Sequence, residues 1–169
     1  MYARRWTAAS GRFEVRVVVN AWKRLEALAD SADPNETGGI LVGHYAEAYR
    51  VAVVTEVSSA PSDSASGHSW FQRGSRGLAA WLGKLWSRKQ RQYYLGEWHY
   101  HPSHFVEPSS ADIAEIESIA RRPEYACPEP ILLIVGRPLQ RERAAFALVA
   151  PRGARPEALT STKSGLEVL

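Results

Sequence analysis

Hydrophobic positions change period several times along the chain, and each change marks an element. FEVRVVV (13–19) alternates and is rich in valine, the pattern of a strand with one buried face. From Asn20 the period lengthens, with Trp22, Leu25, Leu28 and Ala29 recurring at helical spacing through about Ser31, and Asn20 suits the helix cap. The turn DPNETGG interrupts this pattern, ILVGHY resumes a strand, and YRVAVVTEV reads as its hairpin partner. SSAPSDSASGHS (58–69) is a loop by composition, and loops of that length inside a compact domain are usually functional or mobile. WFQRG reads as a short strand. SRGLAAWLGKLWSRKQ is amphipathic as a helix through Leu78, Trp81, Leu82, Leu85 and Trp86. YYLGEWHYH is a strand, and SSADIAEIESIARR a helix with Ile113, Ile116, Ile119 and Ala120 on one face. ILLIVG and AAFALVA complete the series, the first a continuous apolar run typical of a buried sheet position.

The resulting order, β-α-β-β-α-β-α-β-β, predicts an α+β domain in which helices pack on one sheet. The length of 169 residues suits one domain. Its periodic part spans 13–151, which leaves 1–12 as an N-terminal extension and 152–169 as a flexible C-terminal tail. No internal repeat is present.

Composition narrows the function classes. Apolar residues at 45% and charged residues at 23% are ordinary for a folded protein. Six tryptophans suggest a well-packed core, a recognition surface, or both. A net charge of +3 permits an acidic or nucleic-acid partner without arguing for either. No nucleic-acid recognition motif is present, so no nucleic-acid partner is expected, and the denser run LWSRKQRQYY reads as a solvated basic helix end. The single cysteine, Cys127, fits a reducing compartment. MYARRWTAASGRF lacks the apolar run of a secretory signal, and no stretch is long enough to cross a bilayer, so a cytoplasmic protein is expected.

The chemistry concentrates in GEWHYHPSHFVEPSSADIAEI, which holds three of the five histidines. His99 and His101 stand two apart at a strand end, so both imidazoles project to one side and Tyr100 to the other. Two imidazoles so placed can converge on one ion, with Zn–N bonds of about 2.0–2.1 Å. Asp112, in the first turn of the next helix, can supply a carboxylate oxygen, leaving a fourth position for water as catalytic zinc sites do. The same aspartate, with Ser109, also fits a plain helix cap. A hydrolase needs a carboxylate to exchange a proton with water and leaving amine, and Glu36, before a Gly-Gly pair that permits close backbone approach, is the candidate. Glu56, Glu97 and Glu107 compete for that role.

Glu36 in ETGGILVG, then WHYHP (98–102), then SSAD (109–112), is similar to the JAMM motif of the JAB/MPN metalloproteases, and the resemblance covers roughly Phe13 to Val149. It implies a mixed, curved central sheet of the deaminase-like type. It implies zinc (Zn2+) held by His99, His101 and Asp112, with Glu36 as general acid/base and Ser109 stabilising the oxyanion. It also implies cleavage of a peptide or isopeptide bond after the C-terminal tail of a ubiquitin-like protein. The chain resembles stand-alone bacterial members, some of which act as deconjugases beside E1-like and E2-like enzymes in CBASS or ubiquitin-like antiviral operons. Tyr100 departs from the family, which more often has a small hydroxyl residue there, and altered packing is expected. His104 has no place in the motif. The 58–69 loop with WFQRG is the candidate sheet edge for an extended tail, with Trp70 and Phe71 lining the groove and His68 nearby. The alternatives are a non-catalytic scaffold of the same fold and a zinc deaminase, the latter disfavoured because CPEP at Cys127 lacks a second cysteine.

Overall fold

ILLIVG sits where its continuous apolar character requires, in the interior of the sheet. In the computed structural model, which describes residues 1–162, the strands are β1 (Tyr2–Ala8), β2 (Glu14–Val18), β3 (Thr37–Ala46), β4 (Val51–Val57), β5 (Ala65–Ser66), β6 (Phe71–Gln72), β7 (Tyr93–Tyr100), β8 (Ile131–Leu139), β9 (Glu142–Val149) and β10 (Glu157–Thr162). The helices are α1 (Val19–Ala32), α2 (Leu78–Trp86) and α3 (Ser110–Arg121). The main sheet runs β1-β10-β9-β8-β7-β3-β4-β2, and β2 pairs back with β1 to close it. It is mixed: β2–β4 and β7–β8 are parallel, the other pairs antiparallel.

Side-chain alternation along the strands builds two apolar layers. Ile131, Leu133 and Val135 of β8 join Trp6, Val15, Trp22, Leu25 and Trp98 on the α1 side. Leu132 and Ile134 join Ile40, Tyr94, Leu85, Ile116 and Ile119 on the α2 and α3 side. In β7, Leu41 pairs with Gly96 and Val42 with Tyr94, so Leu95 is the extra residue of a bulge. Gly96 has φ +148°, and an added Cβ would lie 1.9 Å from the Ile131 carbonyl oxygen, so only glycine fits there. Beyond the bulge, Trp98 and Tyr100 enter the α1-side layer, and Glu97 and His99 face the opening between the hairpin of β5 and β6 and the start of α3.

Three expectations are corrected. Residues 2–8 and 157–162 are strands of the main sheet rather than extension and tail. They bury only Trp6 and Ala8, and Leu159, while Arg4, Arg5 and Thr7 interrupt the apolar pattern, so periodicity alone could not find them. The rest of the expected tail, 163–169, lies outside the described residues. Asn20 is not the cap of α1: the helix starts directly out of β2, with Val18 at the cap position and no side-chain bond there. No helix among the described residues is long and apolar enough to cross a membrane.

Candidate metal centre

The site forms where β3, β7 and α3 meet. Thr37 pairs with Tyr100 and Gly38 with His99, so Glu36 lies one residue beyond the paired region, level with His101. Gly38 is required by crowding: a Cβ there would lie 2.7 Å from the Phe71 ring and 2.9 Å from the His99 ring. Gly39 admits the Trp98 indole in the same way, at 2.9 Å from an added Cβ. The Gly-Gly pair thus lets the β3 backbone press against the strand that carries the histidines.

Asp112 reaches the cluster through the start of α3, and its geometry accommodates both the cap and a ligand role. The Ser109 amide donates to Asp112 Oδ2 at 2.7 Å and the Asp112 amide to Ser109 Oγ at 3.1 Å, a reciprocal capping box. The same carboxylate meets His99 Nδ1 at 2.8 Å through Oδ1 and His101 Nε2 at 3.6 Å through Oδ2. One donor atom from each of His99, His101 and Asp112 lies within 4.8 Å of the other two. Bonds of about 2.0 Å in a tetrahedral site put neighbouring donors about 3.3 Å apart, a spacing that the two contacts bracket. The donor set therefore suits a small nitrogen- and oxygen-seeking divalent ion.

The protonation states suit one too. Burial alone would raise Asp112, but hydrogen bonds from His99 and Ser109 outweigh it and hold the carboxyl well below the usual range. Burial pushes His101 below the ordinary imidazole value, against the pull of Asp112, and so favours the neutral ring that a metal binds. Glu36 is pushed up to about 7, first by burial and then by the negative charge of Asp112, with His99 opposing. Its amide donates to the Gly67 carbonyl at 2.8 Å.

The competing glutamates are engaged elsewhere. Glu97 is buried, accepting from Arg73 Nε at 2.6 Å and from the Tyr94 hydroxyl at 2.6 Å, and Arg73 also reaches Tyr125. Glu56 pairs with Arg88 at 2.8 Å, and Glu107 is exposed. The Ser109 hydroxyl donates to Asp112 Oδ2 at 2.7 Å, so in this arrangement it steadies the carboxylate. Phe71 stands edge-on to His99 with ring centroids 5.6 Å apart and lines a cleft of about 320 Å³ together with Arg73, Glu97, Asp112 and Glu115. Trp70 is 52% exposed and turns to Gly67 instead, outside that lining. His68 is exposed, with Nδ1 3.1 Å from the Pro34 carbonyl, and His104 is exposed outside the cluster. Sequence reasoning missed Arg73, whose partner Glu97 is distant in the chain; a lone acid in an otherwise apolar strand was the available signal.

Comparison with known proteins agrees with this geometry. A curated isopeptidase of Enterobacter hormaechei, described as a CD-NTase/cGAS isopeptidase, is 43% identical over 125 residues, covering 74% of this chain and 68% of that protein. A probable metalloprotease of Sinorhizobium fredii is 28% identical over 102 residues, covering 59% of this chain and 62% of that protein. The solution structure of a Desulfitobacterium hafniense protein shares the fold, with a TM-score of 0.59 at 18% identity over 86% of this chain and 88% of that one. Residues 19–149 match the family of prokaryotic homologs of the JAB domain, and the chain belongs to that family.

Proposed function

We propose that the chain is a zinc-dependent isopeptidase that releases a CD-NTase from an isopeptide conjugate. The observation that carries this reading is the convergence of His99, His101 and Asp112 donors beside a Glu36 carboxyl whose proton is exchangeable near neutrality. The substrate class follows from the Enterobacter hormaechei relative, a CD-NTase/cGAS isopeptidase. The same reading makes the substrate a product of ubiquitin-like conjugation chemistry, with E1-like and E2-like enzymes as functional neighbours in an antiviral system of the cytoplasm.

In this reading His99, His101 and Asp112 hold the zinc. When bound, zinc supplies a water acidic enough to ionise near neutral pH and a Lewis acid for the scissile carbonyl. Glu36 accepts the proton of the attacking water at its carboxylate and returns it to the departing lysine nitrogen, one group serving as base and then as acid. Ser109 turns its hydroxyl from Asp112 to the developing oxyanion. Phe71 borders the path of the extended tail where it passes His99, and the short β5–β6 hairpin offers main-chain groups to it. Trp70, further out on the same hairpin, meets substrate only at its rim.

The test is cleavage of a CD-NTase joined through its C-terminal carboxyl to a lysine of a carrier protein. The zinc-loaded protein should release both partners, chelation should stop release, and added zinc should restore it, while Glu36→Gln should be inert. A zinc-loaded, folded protein that leaves the conjugate intact would overturn the reading in favour of a scaffold.

A further inference from the structure

Tyr100 lies between two of the metal-binding candidates, yet its ring enters the α1-side layer and is 1% exposed. Its hydroxyl emerges at the turn between α1 and β3 and donates to Asp33 Oδ1 at 2.5 Å. Arg137 of β8 grips the same carboxylate, Nε to Oδ1 at 2.9 Å and Nη2 to Oδ2 at 3.4 Å. Asp33 is the C-cap residue of α1 and stands three residues before Glu36. The segment between them is also held from the other side, by His68 against the Pro34 carbonyl and by the Glu36 amide on Gly67.

The Glu36 carboxylate has no hydrogen-bond partner among the described residues; burial and the charges of Asp112 and His99 are what act on it. Its place relative to the metal donors is therefore set by the backbone of residues 33–36 and by what anchors that backbone. A proton carrier held within hydrogen-bond reach of two successive partners tolerates little displacement, since a misplacement of about 1 Å can cost about 100-fold in rate.

We propose that Tyr100 and Asp33, clamped by Arg137, are positioning residues whose hydrogen bond ties the strand bearing His99 and His101 to the segment bearing Glu36. The catalytic part of this proposal rests on the isopeptidase reading; the mechanical part does not. Tyr100 fills the layer with its ring and reaches the turn with its hydroxyl, which a small residue at this position could not do. The loss of that hydroxyl leaves Asp33 paired with Arg137, so Tyr100→Phe removes the tie without stranding a charge.

The experiment compares wild type, Tyr100→Phe, Asp33→Ala and the double variant, each as zinc-loaded full chain. Zinc content, amide hydrogen exchange at Glu36 and Thr37, and kcat and KM on the CD-NTase–carrier conjugate are measured. We expect unchanged zinc and exchange faster by on the order of tenfold at those two amides. We expect kcat lower by on the order of tenfold with KM within about twofold, and a double variant no worse than Asp33→Ala alone. A bond that served only general stability would lower Tm and leave the two amides and kcat in step with the rest of the protein. Unchanged exchange at Glu36 and Thr37, or losses that simply add in the double variant, overturns the proposal. Asp33→Ala removes the acceptor of the same bond from the exposed side and decides the matter if Tyr100→Phe folds poorly. Should the wild type fail to cut the conjugate, the isopeptidase reading falls while the exchange measurements still decide the tie.

Discussion

Glu97 and Glu36 are two glutamates pushed upward by burial, both within reach of the His99 charge, and their surroundings differ sharply. Glu97 is 3% exposed and fully engaged: Arg73 and Tyr94 bond both its oxygens, and the arginine's two terminal nitrogens also reach the Gly74 carbonyl and the Tyr125 hydroxyl. Glu36 is half-buried, feels Asp112 and His99 through charge alone, and accepts no hydrogen bond among the described residues. A buried carboxylate with a guanidinium partner fixes structure, because separating the pair strands a charge. A carboxylate left without donors, beside a second carboxylate, keeps its proton within reach of neutral pH. Partners, and not distance from the cluster, distinguish the brace Glu97 from Glu36, the proposed proton carrier.

The sharpest way to break the comparison is to exchange the fates of the two glutamates. Glu36→Gln should lower turnover by roughly 10²–10⁴-fold while leaving zinc content and Tm close to wild type; a variant that keeps activity would assign the proton transfer elsewhere. Arg73→Ala should act on stability, costing about 3–5 kcal/mol in chemical denaturation because buried Glu97 loses its cationic partner and keeps just the Tyr94 hydroxyl, and Glu97→Gln should cost less. Phe71→Ala should raise KM several-fold through lost contact beside His99, and Trp70→Ala should change it less; equal effects would move the substrate path outward.

The pH dependence sharpens the same contrast by its sign. In metal-free protein the folded state holds the Glu36 proton up to about 7, against an ordinary value of 4.5, so the folded chain binds more protons than the unfolded chain between those values. Its contribution must therefore make stability fall as pH rises through that window. Asp112, held low by His99 and Ser109, contributes the opposite slope, lost as pH falls below the usual carboxylate range. Tm measured from pH 4.5 to 7 should decline more steeply for wild type than for Glu36→Gln. Parallel curves would mean that Glu36 titrates as an ordinary surface acid.

Local chemistry made much of this site legible in the sequence. A period of two places His99 and His101 on one side of β7, the Ser109–Asp112 spacing starts α3, and the Gly38–Gly39 pair marks the close approach that brings Glu36 in. What escaped were relations between distant residues. Arg73 finds Glu97 across 24 positions, and Arg137 finds Asp33 across 104, with no local pattern that announces either. Tyr100 was legible as pointing away from the metal candidates, but the acid waiting for its hydroxyl was not. The WF dipeptide was ambiguous for a different reason: Trp70 precedes the two-residue strand that Phe71 begins, and only Phe71 turns to His99. The first and last strands, β1 and β10, which help close the sheet, escaped because a strand with one or two buried side chains carries too little apolar signal to be counted.

The most direct test of the central claim is the amount of zinc per chain, by elemental mass spectrometry after dialysis, in wild type, Glu36→Gln and His99→Ala. The account predicts close to one zinc in the first two and its loss in the third, since it makes His99 a ligand and Glu36 none. Little zinc in a folded wild type, with none recovered after zinc is added back, would contradict it.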